Sequence, residues 1–311
     1  MYKNAKIYVA GHCGLVGSAI MRTLSSAGYA NLIVRDRGEL DLCHQQAVQD
    51  FFASERPEYV FLAAAKVGGI QANFQYPAEF IYENVMIEAN VIHASYQSAV
   101  KKLLFLGSSC IYPRACAQPI KEEYLLTGAL EVTNEPYAIA KIAGITMCQA
   151  YNRQYGTSFI SCMPTNIYGI HDNFNVHTSH VLPALLLKIH NAKGAGAEQV
   201  VVWGTGKPYR EFLYVDDLAD ACLFLMNKYS GNEIINIGTG QDLMIADLVC
   251  IIKEIVGYEG QIVYDVSKPD GTLRKQLNVE KLHKLGWSAA TSLAEGIQKT
   301  YDWCLKTGIF E

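Results

Sequence analysis

Five short runs, Lys6 to Ala10, Leu32 to Val34, Tyr59 to Ala65, Leu103 to Gly107 and Phe159 to Pro164, are apolar almost end to end and bounded by turn-forming residues. A strand with one wet face alternates apolar and polar residues; strands that do not alternate need cover on both faces, as in a parallel sheet packed between helices. Stretches with helical spacing separate the runs. The first begins near Ser18, carries Ile20, Leu24 and Ala27, and stops at Gly28, which can end a helix in the left-handed conformation. The pattern specifies an α/β fold with a doubly wound parallel sheet, Rossmann-like.

Ligands of such sheets bind at the carboxyl ends of the strands. There, Gly11-His12-Cys13-Gly14-Leu15-Val16-Gly17 joins the first run to the first helix. Its glycines permit a tight turn, and its backbone N–H groups with the helix dipole attract a pyrophosphate. A G-x-x-G-x-x-G turn also occurs without a ligand; the strand-to-helix setting is what points to a dinucleotide. After the second run comes Arg35-Asp36-Arg37. Two guanidinium groups suit the 2′-phosphate of NADP, whereas Asp36 suits the ribose hydroxyls of NAD, so NADP is favoured and NAD stays open.

Tyr137 and Lys141 stand four residues apart in a helix expected over Pro136 to Tyr155, with Asn134 as its cap and Gly156 as its stop. They share a helix face, so the ammonium can stabilise a phenolate and make the phenol a better proton donor to a carbonyl oxygen. Leu106-Gly107-Ser108-Ser109-Cys110 leaves the fourth run at the same edge, which lets Ser108 donate to that oxygen.

A net charge of −4 without basic blocks, and no apolar run near the ~18 residues of a membrane span, point away from nucleic acid and membrane partners and toward a small ligand. Nine cysteines without a C-x-x-C pair, in a chain that opens directly into a strand, fit a reducing cytoplasm. No group of His, Cys and carboxylates has metal spacing, and His12, His171 and His177 make no case as ligands. After Asn166-Ile167-Tyr168-Gly169 the pattern loosens. The expected division is a nucleotide-binding domain over residues 1–170, rejoined by about 215–240 because Glu233 to Ile237 reads as a buried strand, and a smaller mixed α/β substrate lobe over 171–311.

The Ser108, Tyr137 and Lys141 set joined to this glycine turn resembles the extended short-chain dehydrogenase/reductase superfamily. Ala64-Ala65-Lys66-Val67-Gly68-Gly69-Ile70, Gly107 to Pro113, Asn134 to Lys141, Pro164-Thr165-Asn166, His171-Asp172-Asn173-Phe174, Ser179-His180-Val181, Val202-Trp203-Gly204, Arg210-Glu211-Phe212-Leu213 and Ser267-Lys268-Pro269-Asp270-Gly271-Thr272 narrow it. Together they resemble the GDP-L-fucose synthases, which epimerise C3 and C5 of GDP-4-keto-6-deoxy-D-mannose and then reduce C4 with NADPH.

The resemblance implies a reductase triad of Ser108, Tyr137 and Lys141, with Cys110 and His180 as the acid/base pair at C3 and C5. That division makes chemical sense, because a C4 ketone acidifies both neighbouring carbons and the enolate oxygen can rest on Ser108 and Tyr137. Taken alone, Cys110 would pass for a small buried hydrophobe and His180 for an ordinary histidine. The resemblance also extends the cofactor site through Leu106, Gly107, Ser109, Pro164, Thr165, Asn166, Ile167 and His180. For the GDP-sugar it implies Asn166, Lys188, Trp203, Arg210, Asp270 and Lys275, although Arg210 and Asp270 would equally serve as structural ion pairs and Trp203 as core. Two positions depart from the pattern: Cys13 stands where an arginine helps hold the 2′-phosphate, and Lys188 where an arginine is common. Reduction of another GDP-keto-sugar of colitose or deoxy-heptose type, or a silent nucleotide-binding scaffold, are the alternatives. The family further implies a homodimer through Asn84 to Val100 and Pro136 to Tyr155.

Overall fold

Every apolar run becomes a strand in the computed structural model, which describes residues 1–175, 178–268 and 270–310. His177 and Pro269 lie outside the described residues. In chain order the first half comprises β1 (Ile7–Ala10), α1 (Leu15–Ser26), β2 (Leu32–Ile33), α2 (Gln45–Glu55), β3 (Tyr59–Leu62), α3 (Ile70–Gln75), α4 (Pro77–Gln97), β4 (Lys102–Leu106), α5 (Glu135–Tyr155) and β5 (Phe159–Pro164). Then follow β6 (Asn166–Tyr168), α6 (Val181–Gly194), β7 (Gln199–Trp203), β8 (Tyr209–Arg210), β9 (Phe212–Tyr214), α7 (Val215–Lys228), β10 (Ile235–Ile237), β11 (Leu243–Met244), α8 (Ile245–Val256), β12 (Gln261–Asp265), β13 (Arg274–Lys275), α9 (Glu280–Leu285) and α10 (Leu293–Thr307).

Six strands form one sheet in the order β10-β5-β4-β3-β1-β2. All its pairings are parallel. Successive strand residues feed opposite faces. One face buries Tyr8, Val60 and Phe105 with Phe52, Val91 and Ile145 from α2, α4 and α5. The other buries Val9, Phe61 and Leu104 with Ile20, Leu24 and Leu218 from α1 and α7. A third core gathers Leu186, Ile189, Val202, Leu248, Ile252 and Ile297 from α6, β7, α8 and α10. Small sheets β12-β7, β11-β8-β13 and β6-β9 belong to the later part of the chain.

Helix ends differ from the expectation by local backbone geometry. α1 starts three residues before Ser18, because Gly14 already holds the extended cap conformation at φ −80 and ψ 171. Asn134 occupies the cap position of α5 without a side-chain capping bond, at φ −132 and ψ 15, while Gly156 ends the helix at φ +68. Among the described residues no helix is long and apolar enough to cross a membrane.

A buried cation ties the sheet to α7. The Lys102 ammonium leaves β4 and donates to the carbonyls of Leu225 (3.1 Å), which also accepts the Tyr229 N–H (3.0 Å), and of Met226 (2.9 Å) and Tyr229 at the helix end. Replacing Lys102 by Met keeps the apolar stem and strands the Met226 and Tyr229 carbonyls, at a cost of about 1–3 kcal/mol. Urea unfolding of Lys102→Met is expected to show that loss with an unchanged slope; a change within ~0.5 kcal/mol, the usual size for surface substitutions, would mean the carbonyls find other partners.

Candidate active site

The glycine turn is built for close approach. Gly11 sits at φ +84, where a Cβ would stand 2.7 Å from the Ala64 Cα, and a Cβ on Gly17 would fall 2.0 Å from the Gly11 carbonyl oxygen. The turn and the helix behind it therefore pack backbone to backbone. Gly14 caps α1 without a side chain, so the first-turn N–H groups keep no side-chain acceptor. This cradle fits a dinucleotide pyrophosphate.

Beyond it, the two arginines part company. Arg35 donates to Glu55 Oε1 (2.6 Å) and to its neighbour's carbonyl at Val34 (2.7 Å) and lies over Phe51, so its charge is already engaged. Arg37 stays exposed, with only a loose 3.4 Å contact to Glu83, on an open cleft of about 610 Å³ that Asp41, His44 and Tyr82 also line. Asp36 turns back into its own loop. Its carboxylate accepts from the Glu39 N–H (2.9 Å) and Glu39 accepts from the Asp36 N–H (3.0 Å). Cys13 touches His12 at 3.2 Å.

At the end of β4, Ser108 caps a short turn by accepting the Cys110 N–H at 3.2 Å. The phenol of Tyr137, in the first turn of α5, faces Ser108 and Cys110; burial holds it protonated far above the ordinary range, and the charges of Cys110 and Glu88 add to that. Lys141 is 3% exposed, with its Nζ 3.0 Å from Glu88 Oε1 and 5.8 Å from the centre of the Tyr137 ring. Its ammonium is thus directed at Glu88 on α4 and lies over the faces of Phe105 and Tyr137. Burial raises the Glu88 carboxyl and Lys141 opposes the rise. Gly144 makes room for the pair: a Cβ there would meet Glu88 Oε2 at 2.7 Å and the Phe105 ring at 2.5 Å.

Glu88 was invisible as a site residue in the sequence. The signal was there, since Asn84, Glu88 and Ser95 put polar groups on the buried side of a long helix. Asn84 locks the loop after β3 through both backbone groups of Lys66, at 2.9 and 3.0 Å.

The substrate lobe brings Lys275 to Cys110, Nζ to Sγ 3.3 Å. β13 runs parallel to β8 with Lys275 opposite Arg210. Burial pushes the Cys110 thiol up, but Lys275, Ser108 and Arg210 outweigh it and bring it below the ordinary thiol value. His180 takes the cap position of α6 with much of its side chain still exposed, and desolvation and then Lys275 shift its imidazole below the ordinary value.

Of the other residues implied for the sugar nucleotide, Trp203 is not core. It is 63% exposed, flanked by the Lys188 ammonium at 5.9 Å and that of Lys268 at 5.5 Å. Lys188 also donates to the Val201 carbonyl at 2.6 Å. Asn166 donates its amide to the Glu211 carbonyl (2.7 Å), and buried Thr165 bonds the same oxygen. Asp270 holds the turn after β7, accepting from the Thr205 N–H (2.6 Å) and hydroxyl (2.8 Å). Both carboxylate oxygens of Asp270 are therefore used within the fold. Glu211, fully buried, sits in the Arg210-Glu211-Phe212-Leu213 segment, where the sequence gives no sign of its role; its carboxylate accepts from the N–H groups of Gly240 (2.8 Å) and Leu277 (2.7 Å) and fastens β8 and β9 to the segment that carries Lys275.

Comparison with known proteins agrees with this geometry. The profile described as "NAD dependent epimerase/dehydratase family" matches residues 7–238. GDP-L-fucose synthase 1 of Arabidopsis thaliana is 60% identical over 98% of this chain and 94% of its own length. Among solved structures, a GDP-6-OMe-4-keto-L-xylo-heptose reductase from C. jejuni superposes with a TM-score of 0.94 at 42% identity, covering 99% of each chain. A GDP-L-fucose synthetase from Naegleria fowleri bound to NADP does so at 0.92 and 31%, covering 99% of this chain and 96% of that one. The chain belongs to the NAD dependent epimerase/dehydratase family and, within it, to the GDP-L-fucose synthases.

Proposed function

We propose that this chain is a bifunctional 3,5-epimerase/4-reductase that turns GDP-4-keto-6-deoxy-D-mannose into GDP-L-fucose with NADPH. One observation carries the reading: Ser108 accepts the Cys110 N–H and the Tyr137 phenol faces both residues, so the donors for a C4 oxygen and a proton-exchanging thiol meet at one end of β4. A reductase alone needs no such thiol.

The substrate ketone would accept hydrogen bonds from Ser108 and Tyr137, which withdraw charge and acidify the protons on C3 and C5. Cys110 and His180 then exchange protons on opposite faces of the ring: one removes a proton to give an enolate whose oxygen the two hydroxyls hold, and the other returns a proton to invert the carbon. NADPH, when bound, supplies the hydride to C4. Tyr137 gives its proton to the resulting alkoxide oxygen, and Lys141 would stabilise the phenolate left behind and hold the nicotinamide ribose. Gly11 to Gly17 would cradle the pyrophosphate, and Arg37, the exposed guanidinium, would take the 2′-phosphate that Arg35 is not free to bind. Trp203 with Lys188 and Lys268 forms an aromatic and cationic platform suited to the GDP end.

The likeness to the heptose reductase favours a second reading, reduction of another GDP-keto-sugar. A reducing cytoplasm suits the nine free cysteines and a chemistry that depends on a thiol. The aromatic cluster of His93, Tyr96, Tyr151 and Tyr155, shared by α4 and α5, is the face on which a homodimer would form.

Incubation with GDP-4-keto-6-deoxy-D-mannose and NADPH is expected to consume cofactor and release GDP-L-fucose; no turnover of that sugar with either NADPH or NADH, by a folded sample, rules the assignment out, and activity confined to another GDP-keto-sugar selects the second reading. Tyr137→Phe is expected to lower the reduction rate by about 10²–10⁴-fold while deuterium from solvent still enters C3 and C5, and Cys110→Ser to impair that exchange first. Equal loss of both steps in both variants would refute the division of labour. Arg37→Ala removes one charge-assisted phosphate contact, worth about 1.5–3 kcal/mol, so KM for NADPH should rise roughly tenfold or more while KM for NADH stays put.

A further inference from the structure

Lys275 has an unusual environment for an ammonium. Its hydrogen-bond partner is the Cys110 sulfur at 3.3 Å, and among the described residues no carboxylate lies within ion-pair distance of it. The nearby acids are committed elsewhere: Asp242 takes Arg274 at 2.6 and 3.0 Å, Glu131 takes Arg114 at 3.3 Å, and Asp270 holds Thr205. The other groups facing Cys110 are the Arg210 guanidinium from β8, the Tyr137 phenol from α5 and the Ser108 hydroxyl. Across the cleft His180 senses the same ammonium, and Cys116 lies nearby. Of the two cations, the Arg210 guanidinium also senses the Asp270 carboxylate, whereas the group in direct contact with the Lys275 ammonium is the Cys110 sulfur.

The lysine is also held in place. Its strand pairs with β8, the next residue's N–H donates to Gln118 Oε1 (2.9 Å), the Gln276 carbonyl accepts from Ile120 (2.7 Å), and the Leu277 N–H is fastened to Glu211 (2.7 Å). Cys110 and Lys275 line one small cavity of about 50 Å³. A flexible anchor for a solvent-facing diphosphate would need no such bracing.

We propose that Lys275 is a positioning residue for epimerisation: its ammonium is the counter-ion that holds Cys110 as the thiolate, and it is not an anchor for the nucleotide diphosphate. This rests on Cys110 being one of the two proton-exchanging groups. The thiolate accepts a proton from a ring carbon and becomes the thiol, the electron pair of that C–H bond passes into the enolate, and Lys275 stays protonated throughout. The balance of influences on Cys110, in which the cations overcome burial, agrees with this arrangement.

The test is the pH profile of Cys110 alkylation by iodoacetamide in the full chain, followed on its own peptide by mass spectrometry because eight other cysteines are present. Wild type is expected to react with a midpoint well under the ~8.5 of a free thiol. In Lys275→Gln the midpoint should rise by about one unit or more, which slows alkylation at pH 7 roughly tenfold, and Lys275→Arg should restore most of the rate. Solvent deuterium exchange at C3 and C5 should slow to match at pH 7 and recover at higher pH, with KM for the sugar unchanged. A wild-type midpoint at or above the free-thiol value overturns the proposal without any variant. So does a Lys275→Gln profile that superimposes on wild type while KM rises, which assigns the lysine to the diphosphate. If Cys110→Ala leaves exchange at both carbons intact, the epimerase reading of Cys110 fails, and the alkylation profiles still report what Lys275 does to the thiol.

Discussion

The buried pair of Lys141 and Glu88 is the contact on which the reductase side of the site depends. Removing two charges from water costs several kcal/mol for each ion, and their mutual attraction repays it only in good geometry, so the pair is poor evidence for stability. Its value is positional. With 3% and 2% of their side chains exposed, the two groups fix α5 against α4 at the height where Tyr137 emerges. Either partner alone would be an uncompensated interior charge. The absence of a side chain at Gly144 and the ring of Phe105 beneath the ammonium are what allow a carboxylate and a cation to fit in that layer.

A second buried acid does comparable work for the later half of the chain. Glu211 lies between Arg210 and Phe212, yet its carboxylate is turned inward onto backbone donors from Gly240 and Leu277. Burial raises this carboxyl, and those N–H groups pull it back. The consequence is geometric: the turn after β10 and the segment after β13 meet at one anion, which holds the strand of Lys275 over the turn that bears Cys110. The epimerase side of the cleft is therefore assembled from two parts of the chain more than 160 residues apart, 165 between Cys110 and Lys275.

These two acids also mark the limit of what the residues alone disclosed. The parallel sheet was legible because its strands are apolar on both faces, a signal carried within each run, and the Tyr137–Lys141 spacing because a helix repeats every three to four residues. Glu88, Glu211 and Lys102 were not legible, since each is justified only by a partner brought near by folding, 53 residues away for Lys141 and more than 120 away for the carbonyls that Lys102 meets. The same reason explains Arg35 and Arg37. In sequence they are alike, and only the position of Glu55 on α2 shows that the first is engaged and the second exposed. Asp270, which the resemblance implies for the GDP-sugar, has a structural task that its sequence position does not show: both of its oxygens hold the turn at Thr205.

Under the proposed function, one cleft would serve two reactions through the separation of protonation states within it. Tyr137 and Cys110 both border Ser108, yet their surroundings drive them apart: burial and the neighbouring negative groups keep the phenol protonated, while Lys275 and Arg210 draw the thiol toward its anion. Groups pushed apart in this way take opposite acid and base roles. In the proposed reaction, a phenol that holds its proton would donate to the C4 oxygen through each enolate without being consumed, and would surrender that proton only when hydride addition creates an alkoxide basic enough to take it. The thiolate meanwhile strengthens the phenol's hold on its proton, so proton exchange at the ring carbons and protonation at oxygen stay distinct although they occur side by side.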